Sequence, residues 1–474
     1  MRRPGIHHLW LGAVLLAGAL PRVFLALTDD GIYWPDEVYQ TIEPAHRLVF
    51  GYGMIAHEFV IGSRSWFLPG VIALPLELWK LCGGTQPHAA LVLVKLCFAA
   101  ISVAAAWSVH RLARALGAQP LTAVASAALF SLMAPAIYFG FRALSETAST
   151  LPIALGFALA LDPRSSRLRR AAGASLLGLS VLLRLQNGIF GAALVLALLL
   201  RRRLREAGDA LLVLSLWALA YGLLDLVTWG RPFHSAAEYL RFNVSAGGAS
   251  QWGVASAWYY AETLWRSSPL PFLCLALLAP LSLRRAPEVL FAALAFAVAH
   301  SLVPHKELRF LLPALPLFCA LAALGLEEAA RTRALRLALP AAVLLCAAVD
   351  GLHFHRLRFR DLGQYLDVKP DQPAYQDFAQ VTRLLFAAHD RKDLCGLKME
   401  GVDLVWSFGY SALHRPVPLY QHDRPPSRES GRFNYVIAVQ GRAAGAVVAE
   451  DFPYALVRVG HACAPDPGYH PLLR

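Results

Sequence analysis

The sequence predicts an α-helical polytopic membrane protein of about eleven transmembrane helices, with a small extracytoplasmic α/β domain of about 120 residues at its C-terminal end. Three observations lead there. Of 474 residues, 57% are hydrophobic and only 16% charged, which is too apolar for an ordinary soluble enzyme. Apolar runs approaching the roughly 20 residues needed to cross a hydrocarbon layer of about 30 Å recur along the first three quarters of the chain. Beyond about residue 353 those runs stop, and short strand-like and helical pieces alternate instead.

The expected spans are about 8–27, 90–110, 120–137, 147–161, 171–184, 188–200, 209–228, 265–283, 287–303, 309–326 and 335–352. The first follows Met1-Arg2-Arg3 and has the look of a secretory signal. Arg22 comes directly after the apolar run Leu9 to Leu20, however, and no convincing small-x-small cleavage site precedes it, so an uncleaved span is expected. Arg22 itself reads as a structural partner for an acid such as Asp29 or Asp36.

Basic clusters separate the spans: Arg2/Arg3, Arg111/Arg114, Arg164/Arg167/Arg169/Arg170, Arg201/Arg202/Arg203/Arg205, Arg284/Arg285 and Arg331/Arg333/Arg336. The positive-inside rule puts them together in the cytoplasm. They carry much of the net charge of +12, so that charge reports topology and no nucleic-acid partner is expected. Residues 67–82 are apolar but hold Pro69, Pro75, Glu77 and Lys80. A crossing there would invert every later cluster, so the stretch is expected to be re-entrant or interfacial.

This parity sends 28–89, 138–146, 184–188, 229–264, 304–308 and the tail to the outer face. Two domains are expected, 1–352 in the membrane and 353–474 outside it, with strands near 417–420, 435–439 and 455–459. Most of the seven cysteines lie in apolar runs and read as small hydrophobes. Cys395 and Cys463 lie in the polar tail and could pair if it is extracytoplasmic.

Two outer-face clusters carry the chemistry. The first loop reads Asp29-Asp30-Gly31-Ile32-Tyr33-Trp34-Pro35-Asp36-Glu37-Val38-Tyr39-Gln40 and continues through Glu43, His46, Glu58, Arg64 and Ser65. The second, His305-Lys306-Glu307-Leu308-Arg309-Phe310, is wedged between apolar runs, where four ionisable residues in five positions point to mutual pairing or a functional cavity. A transporter or a lipid-linked saccharide flippase would also combine many spans with buried ions, but no internal repeat is evident and these charges collect at one face.

Trp34-Pro35-Asp36-Glu37-x-Tyr39-Gln40-x-x-Glu43-x-x-His46, with Gly51-Tyr52-Gly53 and Arg64-Ser65, resembles the GT-C mannosyltransferases of the GPI-anchor and N-glycan pathways, which use dolichyl-phosphate mannose. His305-Lys306-Glu307-x-Arg309-Phe310, followed by Pro313 and Pro316, resembles that family's second hallmark. Weaker echoes occur at Arg142-x-Leu144-Ser145-Glu146, at Asp225 with Trp229-Gly230, and at Phe242-Asn243. Glu146 departs from the small polar residue or Asn expected there, which suggests a different acceptor role for that loop.

The resemblance covers about residues 10–330 and implies a GT-C-like fold. It also implies transfer of a sugar, with mannose favoured, from a polyprenyl-phosphate donor to a hydroxyl of a glycan or glycolipid acceptor, with inversion. Asp36 would be the base, with Glu37 orienting it or contacting the acceptor. Lys306 and Arg309, helped by His305, Arg64 and Arg184, would hold the donor phosphate. Tyr39, Gln40, Glu43, His46 and Glu307 would bind or orient substrate. Arg184 also fits a plain polar hairpin between two spans. The leaving group is already a phosphate and no Asp-x-Asp pair occurs in the polar loops, so neither a cofactor nor an essential metal is expected.

Overall fold

The computed structural model describes residues 6–245, 247–363, 371–422 and 424–473. Arg2 and Arg3 therefore lie outside the described residues. In chain order the helices are α1 (Ile6–Thr28), α2 (Glu43–Phe50), α3 (His57–Ile61), α4 (Phe67–Leu81), α5 (Pro87–Ala115), α6 (Pro120–Leu132) and α7 (Ala134–Gly140). There follow α8 (Ser145–Leu161), α9 (Arg167–Leu183), α10 (Gly188–Leu200), α11 (Leu204–Trp229), α12 (His234–Leu240), α13 (Tyr259–Ser267) and α14 (Pro269–Leu278). The last are α15 (Pro287–Leu302), α16 (Leu315–Ala329), α17 (Arg333–Leu352), α18 (Ala379–His389) and α19 (Gly409–Leu413). The strands are β1 (Leu397–Glu400), β2 (Leu419–Tyr420), β3 (Tyr435–Val439), β4 (Ala446–Asp451) and β5 (Tyr454–Arg458).

Each of the eleven apolar runs coincides with a helix or a bent pair. Among the described residues α1, α5, α11 and α17 are individually long and apolar enough to cross a membrane, and α6 with α7 passes as a pair bent by 59°. The chain forms two compact units. One holds residues up to Ala26 together with Leu96–Pro373, and the other joins Leu27–Lys95 to Ala374–Arg474. The expected boundary at 352 thus differs from the compact grouping, in which the first loop belongs with the tail.

In the first unit α6 and α16 form the centre, buried along almost their whole lengths. Peripheral α11 instead exposes Leu211, Leu212, Leu216, Leu219, Leu223 and Leu226, as a surface solvated by lipid requires. The basic turns meet at one end of this unit through ion pairs. Arg167 bonds Asp209 at 2.7 Å, Arg201 bonds Glu288 at 2.7 Å, and Arg285 bonds Glu327 at 2.7 Å.

The bend between α6 and α7 has a local cause. Pro135 has no N–H, so Ser131 loses its i+4 donor. Arg22, fully buried on α1, replaces that donor: Nη1 reaches Ser131 O at 2.7 Å and Nη2 reaches Ala136 O at 2.9 Å. Its Nε donates to Ser102 Oγ at 2.9 Å. On the other side of the break, Ala134 N–H donates to Asp350 Oδ2 at 2.8 Å. The bonds described for Arg22 thus go to backbone carbonyls and a serine, not to the expected acid. Gly18 and Gly140 allow this approach, since a Cβ would stand 2.0 Å from Ser131 Oγ and 2.6 Å from Arg22 Nε respectively.

In the second unit the five strands order β2-β1-β3-β5-β4. β1 is parallel to β2 and β3, whereas β3–β5 and β5–β4 are antiparallel. The expected strands match β2, β3 and β5. β1 escapes a pattern search because it is short and carries Lys398 and Glu400. Cys395, just before β1, is disulfide-bonded to Cys463 beyond β5. Residues 67–82 contain α4, which is 15 residues long, buries Leu68, Ile72 and Leu76, and exposes Val71, Leu74, Leu78 and Leu81 on the opposite face. That two-faced pattern suits a helix lying along an interface.

Candidate active site

The expected site residues divide between the two units. In the second, Asp36 opens the helical turn that begins at Pro35 and runs as a π-helix over Val38–Ile42 into α2. Asp36 is half-buried. Glu37 is buried and its Oε1 accepts Tyr33 N–H at 2.9 Å, which folds the loop back on itself. Asp29 and Asp30 are drawn into the same framework. Asp29 Oδ1 accepts Gly31 N–H at 2.9 Å and Gln376 N–H at 3.0 Å, and Asp30 pairs with His88 at 3.2 Å and Arg383 at 3.4 Å.

The residues expected to bind or orient substrate have internal partners. Tyr39 Oη donates to Leu404 O at 2.8 Å, and Gln40 Nε2 donates to Glu58 Oε1 at 2.8 Å. Glu43 is completely buried and accepts from Met54 N, Tyr410 N and Ser411 N at 2.8, 2.9 and 2.8 Å, and from Ser411 Oγ at 2.5 Å. Burial pushes its pKa up while these four donors pull it back, and the balance lies above the usual carboxylate value. His46 faces Tyr52 O at 3.0 Å through Nδ1 and His414 Nδ1 at 2.9 Å through Nε2. Burial is the main cause that lowers His46 to about 3 and His414 to about 4. Arg64 is half-buried in the turn between α3 and α4.

The first unit gathers the second group at the end opposite its basic turns. Arg309 is buried on a 3₁₀ turn, Leu308–Leu311, and forks onto Glu307 through Nε at 2.8 Å and Nη2 at 2.9 Å. His305 Nε2 lies 3.1 Å from Glu307 Oε1. Burial works to raise the Glu307 pKa, but Arg309 and then His305 outweigh it and hold the carboxyl below its ordinary value. Lys306 is turned inward, its ammonium donating to Ala255 O at 2.9 Å and Val303 O at 2.7 Å, and burial lowers its pKa. Arg184, which caps the end of α9, bonds Glu146 at the start of α8, and Glu146 Oε1 also stands 3.8 Å from Arg309 Nε. Phe310 lies under both cations, 4.7 Å from the Arg184 guanidinium and 5.3 Å from that of Arg309.

Arg184 is therefore part of an ion cluster and not a bare hairpin. Glu146 is the member that the sequence pattern understated, because its partners lie 38 and 163 positions away. The one available signal was an ionisable residue placed at the very edge of an apolar run. The other two weaker echoes fall on structural contacts: Asp225 accepts Ser235 N–H at 2.8 Å at the start of α12, and Asn243 Nδ2 donates to Tyr239 O at 3.0 Å. Among the described residues no group of three or more His, Cys, Asp or Glu side chains is placed to hold a metal ion.

Known proteins resemble this chain in overall sequence or in fold. The chain is 30% identical over 346 residues to GPI mannosyltransferase 3 of Yarrowia lipolytica, covering 70% of this chain and 66% of that relative. Against GPI mannosyltransferase 3 of Drosophila melanogaster it is 28% identical, over 64% of this chain and 54% of the relative. The match thus spans between about half and two thirds of the length of these relatives. A crystal structure of ArnT from Cupriavidus metallidurans bound to undecaprenyl phosphate aligns with a TM-score of 0.61 at 15% identity, covering 96% of this chain and 99% of that one. The fold is accordingly of the GT-C type. The model of the Alg9-like mannosyltransferase family matches residues 13–393, which contain both ionisable clusters, and the chain belongs to that family.

Proposed function

We propose that this protein is a mannosyltransferase that moves mannose from a polyprenyl-phosphate donor to a hydroxyl of a glycan or glycolipid acceptor, with inversion. The observation that carries the reading is the buried Arg184–Glu146–Arg309–Glu307–His305 cluster in a chain of this family. A lipid phosphate leaving group needs fixed positive charge and donors where its second negative charge develops. Arg309, Arg184 and Lys306 supply them, with His305 and Arg64 as further donors. Asp36 takes the proton of the attacking hydroxyl, and Glu37 fixes the turn that carries it. The acceptor oxygen bonds to the anomeric carbon as the bond from that carbon to the phosphate oxygen breaks.

The positive-inside rule assigns the basic end of the first unit to the cytoplasm and the ionisable cluster to the outer face. The Cys395–Cys463 disulfide supports an oxidising compartment for the tail. The test is transfer from radiolabelled polyprenyl-phosphate mannose in membranes containing the protein. The parent is expected to label an endogenous glycan or glycolipid, and Asp36→Asn to lose about 10²–10⁴-fold in turnover at unchanged expression. Transfer by Asp36→Asn at the parent rate would overturn the base assignment; no transfer by the parent from any polyprenyl-phosphate sugar would overturn the function.

A further inference from the structure

Glu146 has no role in the reaction as just described, yet it lies at the centre of the cationic cluster. It occupies the first turn of α8, where the helix dipole favours a carboxylate, and its side chain is 2% exposed. Oε2 accepts from Ser145 Oγ at 2.9 Å, and Oε1 is bonded by Arg184 Nη1 while standing 3.8 Å from Arg309 Nε. Two guanidiniums that converge on one oxygen in a poorly screened interior repel each other strongly, and the carboxylate between them makes that proximity tolerable.

The two arginines depend on it unequally. Arg309 is fixed by its two bonds to Glu307. Arg184 has Glu146 as its carboxylate partner and Phe310 beside it, and its side chain is only 10% exposed. Its Nε–H is buried and has no hydrogen-bond partner among the described residues. Leaving such a donor unmatched forfeits the hydration it had in water, and a buried unsatisfied group of this kind calls for a functional explanation.

We propose that Glu146 is a positioning residue of the donor site: by gripping Arg184 at Nη1 it holds the Nε–H edge ready for a phosphate oxygen of the lipid-linked donor. The departure from the family pattern at this position then concerns the donor, not the acceptor. The inference rests on the reading of Arg184 and Arg309 as phosphate-holding residues.

The test measures binding of undecaprenyl phosphate to the purified full chain in detergent, with inorganic phosphate as a competing arm, beside donor and acceptor KM in the transfer assay. Glu146→Gln removes the charge at constant shape and is expected to weaken undecaprenyl phosphate binding and raise donor KM by about 10-fold or more, at unchanged acceptor KM. Glu146→Asp is expected to recover part of that loss. In an Arg184→Gln background, Glu146→Gln is expected to add less than about two-fold, because its effect passes through Arg184. Inorganic phosphate is expected to compete only weakly.

Equal or tighter lipid-phosphate binding by Glu146→Gln overturns the proposal, as does an effect confined to acceptor KM or a full effect in the Arg184→Gln background. Competition by inorganic phosphate at the affinity of the lipid overturns the lipid-linked ligand. Should Glu146→Gln not fold, Glu146→Asp and Arg184→Gln decide the matter, since the proposal requires both to bind the lipid more weakly than the parent. A parent that binds the lipid but transfers no mannose overturns the function and leaves this role standing.

Discussion

His46 and His414 illustrate how much a single proton can matter at a buried contact. Their facing nitrogens are 2.9 Å apart, so one must donate and the other accept. If His46 Nδ1–H donates to Tyr52 O, His46 Nε2 is the acceptor and both rings are neutral. A second proton would set two N–H groups against each other. With folded pKa values of about 3 and about 4 against an ordinary 6.5, the unfolded chain binds more protons between those limits. The contact therefore stabilises fully above pH 6.5 and loses its contribution as pH falls toward 4. The melting temperature is expected to drop between pH 7 and 5, and replacing His414 by Phe should flatten that slope; an unchanged slope would locate the titrating group elsewhere. The residue types at Asp36, His305, Lys306 and Arg309 were legible in the sequence because acids and bases beside apolar runs are expensive and stand out. The partners of Glu43 were not. A glutamate in a polar loop looks solvated, and only the fold brings Tyr410 and Ser411 to it.

At the scale of elements, the apolar runs predicted helices well because a length of hydrocarbon dictates a length of chain. The run 120–137 shows where that reasoning stops. Apolarity continues through Met133, but Pro135 removes a donor, and whether a helix bends or ends there depends on what meets the freed carbonyl. Here Arg22 meets it from more than one hundred positions away, and Asp350 meets the opposite N–H. Replacing Arg22 by Met keeps the volume and leaves the carbonyls of Ser131 and Ala136 without that donor. A loss of about 2 kcal/mol or more is expected, read as a lowered melting temperature in detergent. Gly140→Leu, which would drive a side chain into the Arg22 guanidinium, is expected to be at least as damaging. If both variants melt with the parent, the break is held by other contacts. The strand β1 was missed for a related reason: its two β-neighbours, not its own composition, make it a strand.

For the whole molecule, the alternation of basic turns and ionisable outer segments makes a topology that labelling can check. Cys82 is an exposed free thiol in the first loop, and Ser166 lies in a basic turn before α9. A membrane-impermeant maleimide is expected to reach Cys82 in intact cells, and a Ser166→Cys thiol in a Cys82→Ser background only after permeabilisation. The reverse pattern would invert the assignment of faces. The grouping of the first loop with the tail could not be read from the sequence, because no local pattern couples residues so far apart.

That grouping also sets a schedule for synthesis. The first loop leaves the ribosome early, but three of the four donors to Glu43, the partner of Ile32 in its backbone pairing with Asp377 and the partner of Ile55 in its bridge to Leu472 all belong to residues made after Pro373. At about 5–20 residues per second, the segment 96–373 takes on the order of half a minute to make. Through that interval a carboxylate destined for burial waits in an unfinished surface. A nascent chain stalled before residue 374 would carry its spans but could not close this unit, so its first loop should be protease-sensitive until the last hundred residues arrive.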